Sequence, residues 1–254
     1  HTHFVDRRSF WGKAQSHVKA VDGVSFEMVA GETLGVVGES GCGKSTLARS
    51  ILRLVQPTSG RVRFAGQDIE QLNDEALRRI RRRMQIVFQD PFSSLNPRIR
   101  VGDAIAEFLQ VHRIVGKRQV ASRVAELLDR VGLDAARHDQ FPHEFSGGER
   151  QRLVIARALA VQPELLLCDE PVSSLDVSVQ AQILDLLGQL QESMGLSYLF
   201  ISHDIRVVRQ ICSRVAVMYR GRFVEVGPVD QVLTAPQHDY TRQLLASSPR
   251  DPRP

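Results

Sequence analysis

The sequence predicts an α/β fold with a mainly parallel sheet, an N-terminal antiparallel β portion and an inserted helical subdomain, in one domain spanning 1–254. Three observations predict it. Short apolar runs alternate with helical periodicity toward both ends of the chain, the pattern of strand–helix units. The block from about 101 to 161 shows only helical spacing. A glycine-rich loop, Gly38–Thr46, joins an apolar run to a helix start. The α/β core is assigned to 1–90 and 162–254, and the helical subdomain to 91–161.

The elements come in this order. VKAVDGVSFEMV (18–29) alternates as a strand, Ala30-Gly31 marks a turn, and TLGVV is a short apolar strand. A helix starts near Lys44 with KSTLARSILRLV. GRVRFAG (60–66) reads as a strand between glycines, 71–83 as a polar, arginine-rich helix, and MQIVFQ (84–89) as a short buried strand. DPFSSLNPR (90–98) breaks all periodicity with two prolines. VGDAIAEFLQVHR, RQVASRVAELLDRVGL and GERQRLVIARALAV then carry apolar residues three and four apart, as helices do. Alternation returns with ELLLCDE (strand), SVQAQILDLLGQLQESMG (helix), LSYLFIS (strand), DIRVVRQIC (helix) and RVAVMYR (strand), closed by a hairpin at Arg220-Gly221. The tail SSPRDPRP is expected to fray.

Composition excludes several classes. A hydrophobic fraction of 43% and a charged fraction of 24% are those of a globular chain. No apolar run approaches the roughly 20 residues that span a bilayer, and HTHFVDRRSF lacks an apolar leader core, so a cytoplasmic protein is expected. A start without methionine fits a piece of a longer chain. The net charge of +4 is concentrated in RRIRRR (78–83). That run reads as a solvated helix face near a membrane or subunit, because no aromatics interleave it for base stacking. Cys42, Cys168 and Cys212 have no metal-like spacing and are expected as reduced, buried thiols.

GESGCGKST (38–46) matches G-x-x-x-x-G-K-[ST] in full, between a strand and a helix. Its glycines let backbone N–H groups of Gly38, Glu39, Ser40, Gly41, Cys42 and Gly43 turn toward phosphate oxygens, and the helix adds its positive N-terminal end. Lys44 is expected at the β- and γ-phosphates, Ser45 on Mg²⁺ and Thr46 near the α/β-phosphates. LLLCDE (165–170) ends a hydrophobic strand in Asp169, which would face the metal through water, and Glu170, which would polarise an attacking water. The core is thus expected to be that of a P-loop NTPase. FSGGERQR (145–152) is a second helix start of phosphate-binding character.

Together these stretches resemble the nucleotide-binding subunit of ABC transporters, with six motifs in that family's order. GESGCGKST resembles Walker A, Gln89 the Q-loop glutamine, FSGGERQR the signature, LLLCDE Walker B, SSLD (173–176) the D-loop, and His203 in ISHD the switch histidine. The resemblance implies catalytic roles for Glu170, His203, Gln89 and Lys44, and a metal set of Ser45, Gln89 and Asp169. It implies that Asp176, also a favoured helix N-cap, links two halves of a dimer. Ser146, Gly147 and Gly148 would contact the γ-phosphate held by a second domain. The adenine would stack on an aromatic upstream of Walker A. Trp11 is preferred, with Phe10 and His17 as alternatives, although both aromatics lie further upstream than is usual.

AVDGVSF, VFQDPFSSLNPR and FPHEFSGGERQR resemble the oligopeptide/dipeptide and nickel importer subfamily, as does PQHDYTRQLLASSP near the end, with Asp239 where proline is usual. No cysteine follows Cys212, so no iron–sulfur tail is expected. The resemblance implies ATP and Mg²⁺ as cofactors and a peripheral position on the cytoplasmic face of the inner membrane. Its partners would be transmembrane permease subunits, a second ATPase domain (identical or a paralogue) and, indirectly, an extracytoplasmic solute-binding protein, with no nucleic acid. A non-transport ATPase acting on nucleic acid or ribosomes, supported only by 78–83, and a regulatory module without hydrolysis are the other readings. The signature departs from LSGGQ at Phe145 and Glu149. The glutamate adds a carboxylate near a polyphosphate, which is expected to cost binding electrostatically unless Arg150 or Arg152 offsets it.

Overall fold

A computed structural model describes residues 1–8 and 14–247, without the side chains of 5–8 and 14–17. In chain order the elements begin β1 (Thr2–Arg8), β2 (Ala14–Val21), β3 (Thr33–Val37), α1 (Lys44–Ile51), β4 (Arg63–Phe64), β5 (Gln67–Asp68), α2 (Asp74–Arg83) and β6 (Met84–Val87). Helices α3 (Pro91–Ser94), α4 (Val101–Val111), α5 (Val120–Arg130) and α6 (Gly147–Leu159) come next, then β7 (Leu165–Asp169) and α7 (Val177–Met194). The chain continues through β8 (Ser197–Ser202), α8 (Ile205–Ile211), β9 (Arg214–Tyr219), β10 (Arg222–Pro228), α9 (Val229–Thr234) and α10 (Asp239–Ser247). These form two compact units, His1–Ile80 with Leu199–Pro254, and Arg81–Tyr198.

In the first unit, β3 runs parallel to β9 (Leu34↔Arg214 to Val37↔Val217) and has β8 on its other side. All five β3 residues are buried, as a strand covered on both faces requires. The two-residue connection Arg220-Gly221 turns β9 back into antiparallel β10, pairing Arg222 with Tyr219, as the sequence predicts. β1 and β2 form a separate antiparallel ribbon. Asp22, just past β2, ties this region to the hairpin: its N–H donates to Gly221 O at 2.7 Å and its carboxylate accepts from Arg222 at 2.6 Å.

The second unit contains the parallel pair β6–β7 (Met84↔Leu165 to Val87↔Cys168) and helices α3 to α7. Residues 91–161 form only helices, 3₁₀ turns and loops, the all-helical block read from the sequence. It belongs to a unit that also holds two strands. Tyr198 is fully buried and donates its hydroxyl to Leu187 O at 2.9 Å.

Several local expectations change. The strand over 18–29 stops at Val21, and 24–29 join no ladder. Burial still alternates there, with Val24, Phe26 and Met28 half-buried, so the period reported one-sided packing rather than pairing. Phe26 meets Phe223 at 5.7 Å. GRVRFAG shrinks to β4, two residues long, because Ala65-Gly66 (φ 47° and 81°) turns it at once onto β5. Strand β1 and helices α9 and α10 are additional. Cys42, Cys168 and Cys212 are buried thiols outside any disulfide, as expected. Among the described residues, no helix is long and apolar enough to cross a membrane.

Candidate nucleotide site

The phosphate loop begins where the buried strand β3 ends and closes where α1 begins. Gly43 caps that helix at φ 112°, and a Cβ there would lie 1.9 Å from Ala20 O, so only glycine fits. The loop's outer residues Glu39, Ser40 and Gly41 are exposed, while Gly38, Cys42, Gly43 and Lys44 are buried and Ser45 and Thr46 half-buried. From the other side, Cys42 O accepts the Gly221 N–H at 2.9 Å. Burial pushes the Cys42 thiol above its usual pKa, which keeps it protonated. The Lys44 ammonium, 4% exposed, donates to Gly38 O at 2.7 Å and Glu39 O at 2.9 Å. A buried cation held by two carbonyls of its own loop, with the Cys42 sulfur at 4.0 Å, before a helix start with no acidic residue in its first turn, is arranged to receive an anion. The donors therefore fit a polyphosphate.

In the second unit, β7 is buried throughout and delivers Asp169, 4% exposed, at its end. Glu170 follows in the left-handed region at φ 52°, where a residue with a Cβ is strained. The backbone is held there by Ser173, whose Oγ donates to Glu170 O at 3.1 Å. Gln89 is exposed two residues past β6. Asp176 caps α7: its carboxylate accepts from Ser178 Oγ at 2.7 Å and Val179 N–H at 3.0 Å, which holds its pKa below the usual range. In the first unit, His203 is exposed just past β8, and Asp204 caps α8 next to it.

Ser146 caps α6 in a reciprocal box. Its Oγ accepts the Glu149 N–H at 3.3 Å, and Glu149 Oε2 accepts the Ser146 N–H at 2.8 Å. Gly148 is required by packing, since a Cβ would lie 2.4 Å from Val179 Cγ1 at the start of α7. The signature turn and the Asp176 cap are therefore one packed piece.

A family model described as ABC transporter matches residues 21–173. The oligopeptide transport ATP-binding protein AppF of Bacillus subtilis is 51% identical over 97% of this chain and 75% of its own length. The chain belongs to the ABC transporter family. The glutathione import ATP-binding protein GsiA of Pectobacterium atrosepticum is 50% identical over 98% of the chain, which spans 40% of that relative's length. Among solved structures, cbiO1 of Clostridium perfringens, described as part of the cbiONQ ABC transporter complex, matches with a TM-score of 0.77 at 30% identity, over 85% of this chain and 84% of that one. A dimeric ATP-binding cassette in a post-hydrolysis state with ADP and Pi matches with 0.76 at 29%, over 85% and 94%.

Of the stretches singled out in the sequence, 38–46 and His203 lie in the first unit, and Gln89, 145–152, 165–170 and 173–176 in the second. Phe10 and Trp11 fall outside the described residues, as does the His17 side chain. The signature's two unusual residues share one partner that sequence reading missed. Arg137 pairs with Glu149 Oε1, lies 4.0 Å over the Phe145 ring and reaches Glu144 O at 3.4 Å. The offset expected from Arg150 or Arg152 does not occur: Arg150 donates to Pro142 O and stacks on Phe92, and Arg152 donates to Val131 O. Both point along backbone carbonyls of the preceding turns. Sequence held one weak signal for Arg137, the joint departure at Phe145 and Glu149.

The Ser146 N–H, then Arg137, hold the Glu149 carboxyl below its usual pKa, so it is ionised at neutral pH, and the extra stability of its charge is lost only as pH falls through that depressed value. Glu149→Gln keeps the box and loses one partly exposed ion pair, worth up to about 1 kcal/mol. Arg137→Gln instead leaves the carboxylate with the Ser146 N–H but without its counter-charge. We expect ATPase rates within about twofold of wild type for the first variant and a several-fold rise in KM for the second. Rate against ATP concentration for the two proteins measures this, and equal effects would remove Arg137 from the role.

Proposed function

We propose that this chain is the ATP-binding and ATP-hydrolysing subunit of an importer for oligopeptides, dipeptides or a similar small solute. The observation that carries the reading is the buried Lys44 ammonium held on the carbonyls of a complete phosphate loop. Lys44 and the loop N–H groups hold the β- and γ-phosphates, and Ser45 of the first unit and Asp169 and Gln89 of the second would serve as ligands to Mg²⁺, which would neutralise phosphate charge when bound. Glu170 takes the proton of the attacking water, and His203 orients that water against the γ-phosphate. Trp11 stacks on the adenine. Ser146, Gly147 and Gly148 serve the nucleotide of a second ATPase domain, and Asp176 lies between the two halves. Each ATP thereby joins two domains, and loss of phosphate releases them.

The chain sits peripherally on the cytoplasmic face of the membrane, against permease subunits. The relatives' names support the solute class: glutathione import, oligopeptide transport and di/tripeptide transport all concern short peptides. The basic run of α2 gives little support to nucleic-acid binding, because Arg79 pairs with Glu75 and Arg83 with Glu164. Purification from detergent-solubilised membranes tests the reading. A co-purifying multi-span permease and Mg²⁺-dependent ATPase activity are expected, whereas recovery with RNA and no permease would overturn it.

A further inference from the structure

The segment PQHDYTRQ has no part in the function proposed above, yet it reaches the phosphate loop. Tyr240, on the first turn of α10 and 6% exposed, accepts the Glu39 N–H with its hydroxyl at 3.1 Å. Glu39 N and Gly38 O belong to one peptide group. That group is therefore held at both ends, its N–H by Tyr240 and its carbonyl by Lys44 Nζ at 2.7 Å. Hydrogen bonds in such a chain polarise one another, so the tyrosine strengthens the carbonyl that docks the lysine.

The tyrosine is itself fixed. Its ring lies 4.2 Å from Tyr219, at the end of β9, and Arg220 lies 5.0 Å over the Tyr219 ring. Its N–H donates to His238 Nδ1 at 3.1 Å. The N–H groups of Gln237 and His238 donate to the Glu225 carboxylate of β10 at 2.9 and 3.1 Å. The start of α10 is thus anchored to the same hairpin whose Gly221 N–H holds Cys42 O. Two contacts from the C-terminal part of the chain grip the loop, one at each end.

We infer that Tyr240 is a positioning residue of the nucleotide site: it fixes the Gly38–Glu39 peptide so that Lys44 is presented to the β- and γ-phosphates, which makes α10 part of the ATP-binding machinery. The inference rests on the nucleotide-site reading above. Its selectivity comes from where it acts. Lys44 meets the β- and γ-phosphates, so ADP and ATP depend on Tyr240 and AMP does not.

The test is Tyr240→Phe in the whole protein, which removes the hydroxyl and keeps the ring against Tyr219. Titration calorimetry with ADP, ATP and AMP is run beside wild type and Lys44→Ala. ADP and ATP affinity should fall about fivefold, the factor for one hydrogen bond of about 1 kcal/mol. AMP affinity should stay as in wild type, and the nucleotide-free melting temperature should fall by no more than about 2–4 °C, the cost of one lost hydrogen bond in a chain of this size. ADP affinity unchanged in Tyr240→Phe while Lys44→Ala loses it would overturn the inference alone, as would an equal loss for AMP. Equal ADP affinity in wild type and Lys44→Ala would overturn the site reading and the inference with it.

Discussion

Glu170→Gln should bind ATP nearly as well as wild type, hydrolyse it at least about 100-fold more slowly, and accumulate as an ATP-bound dimer. General-base help contributes about 10²–10⁴ in rate, and an amide of the same shape cannot accept the proton. The substitution leaves the local fold alone. The strained backbone at φ 52° is held through the Glu170 carbonyl, which accepts from the Ser173 N–H at 3.3 Å and the Ser173 hydroxyl at 3.1 Å, and both bonds survive the substitution. The phosphate-holding groups are on another segment altogether, with Lys44 docked on its own loop. Binding and chemistry therefore separate in this variant. Single-turnover hydrolysis and size-exclusion chromatography with Mg-ATP measure both. Wild-type turnover would remove Glu170 as the base, and lost ATP binding would show that it holds the ground state instead.

The motifs were legible because each is local and sits at the end of an element with a strong signature of its own. TLGVV and LLLCD are buried on every residue, so they read as continuous apolar runs, and each leads directly into working residues, Gly38 with its loop and Glu170. The helical block was legible for the same reason, since its period is carried by neighbours three and four apart. Pairing was less visible. Alternation in 24–29 told which side is covered but could not tell whether another strand lies alongside. The supports of the site were hidden for a different reason. Tyr240 and Glu39 are 201 residues apart, and no periodicity records a contact of that kind. Arg137 reaches Glu149 from a 3₁₀ turn, Ala135–Asp139, whose sequence carries no phosphate-site pattern. Sequence thus exposes the candidate chemical groups, and the groups that contact them from distant segments emerge only from packing.

Lys44→Ala should weaken ATP binding at least about tenfold and lower turnover by about 100-fold, because it removes a charge-assisted bond worth about 1.5–3 kcal/mol at the phosphates. Ser146→Ala should behave differently. It costs α6 its cap, about 1 kcal/mol, and so a small drop in melting temperature, while Lys44 still holds ATP. Its turnover should nevertheless fall, because the domains no longer close on the nucleotide. Mixing the two variants decides between arrangements, when the paired domains are copies of this chain. If each site takes Lys44 from one copy and Ser146 from the other, the mixed dimer contains one site with both residues intact and one with neither. Activity should then rise above that of either variant alone. If both residues serve the same copy's nucleotide, every site in the mixture lacks one of them and no recovery occurs. The recovered rate, followed against the ratio of the two proteins, should peak near equal amounts, where mixed dimers are most numerous.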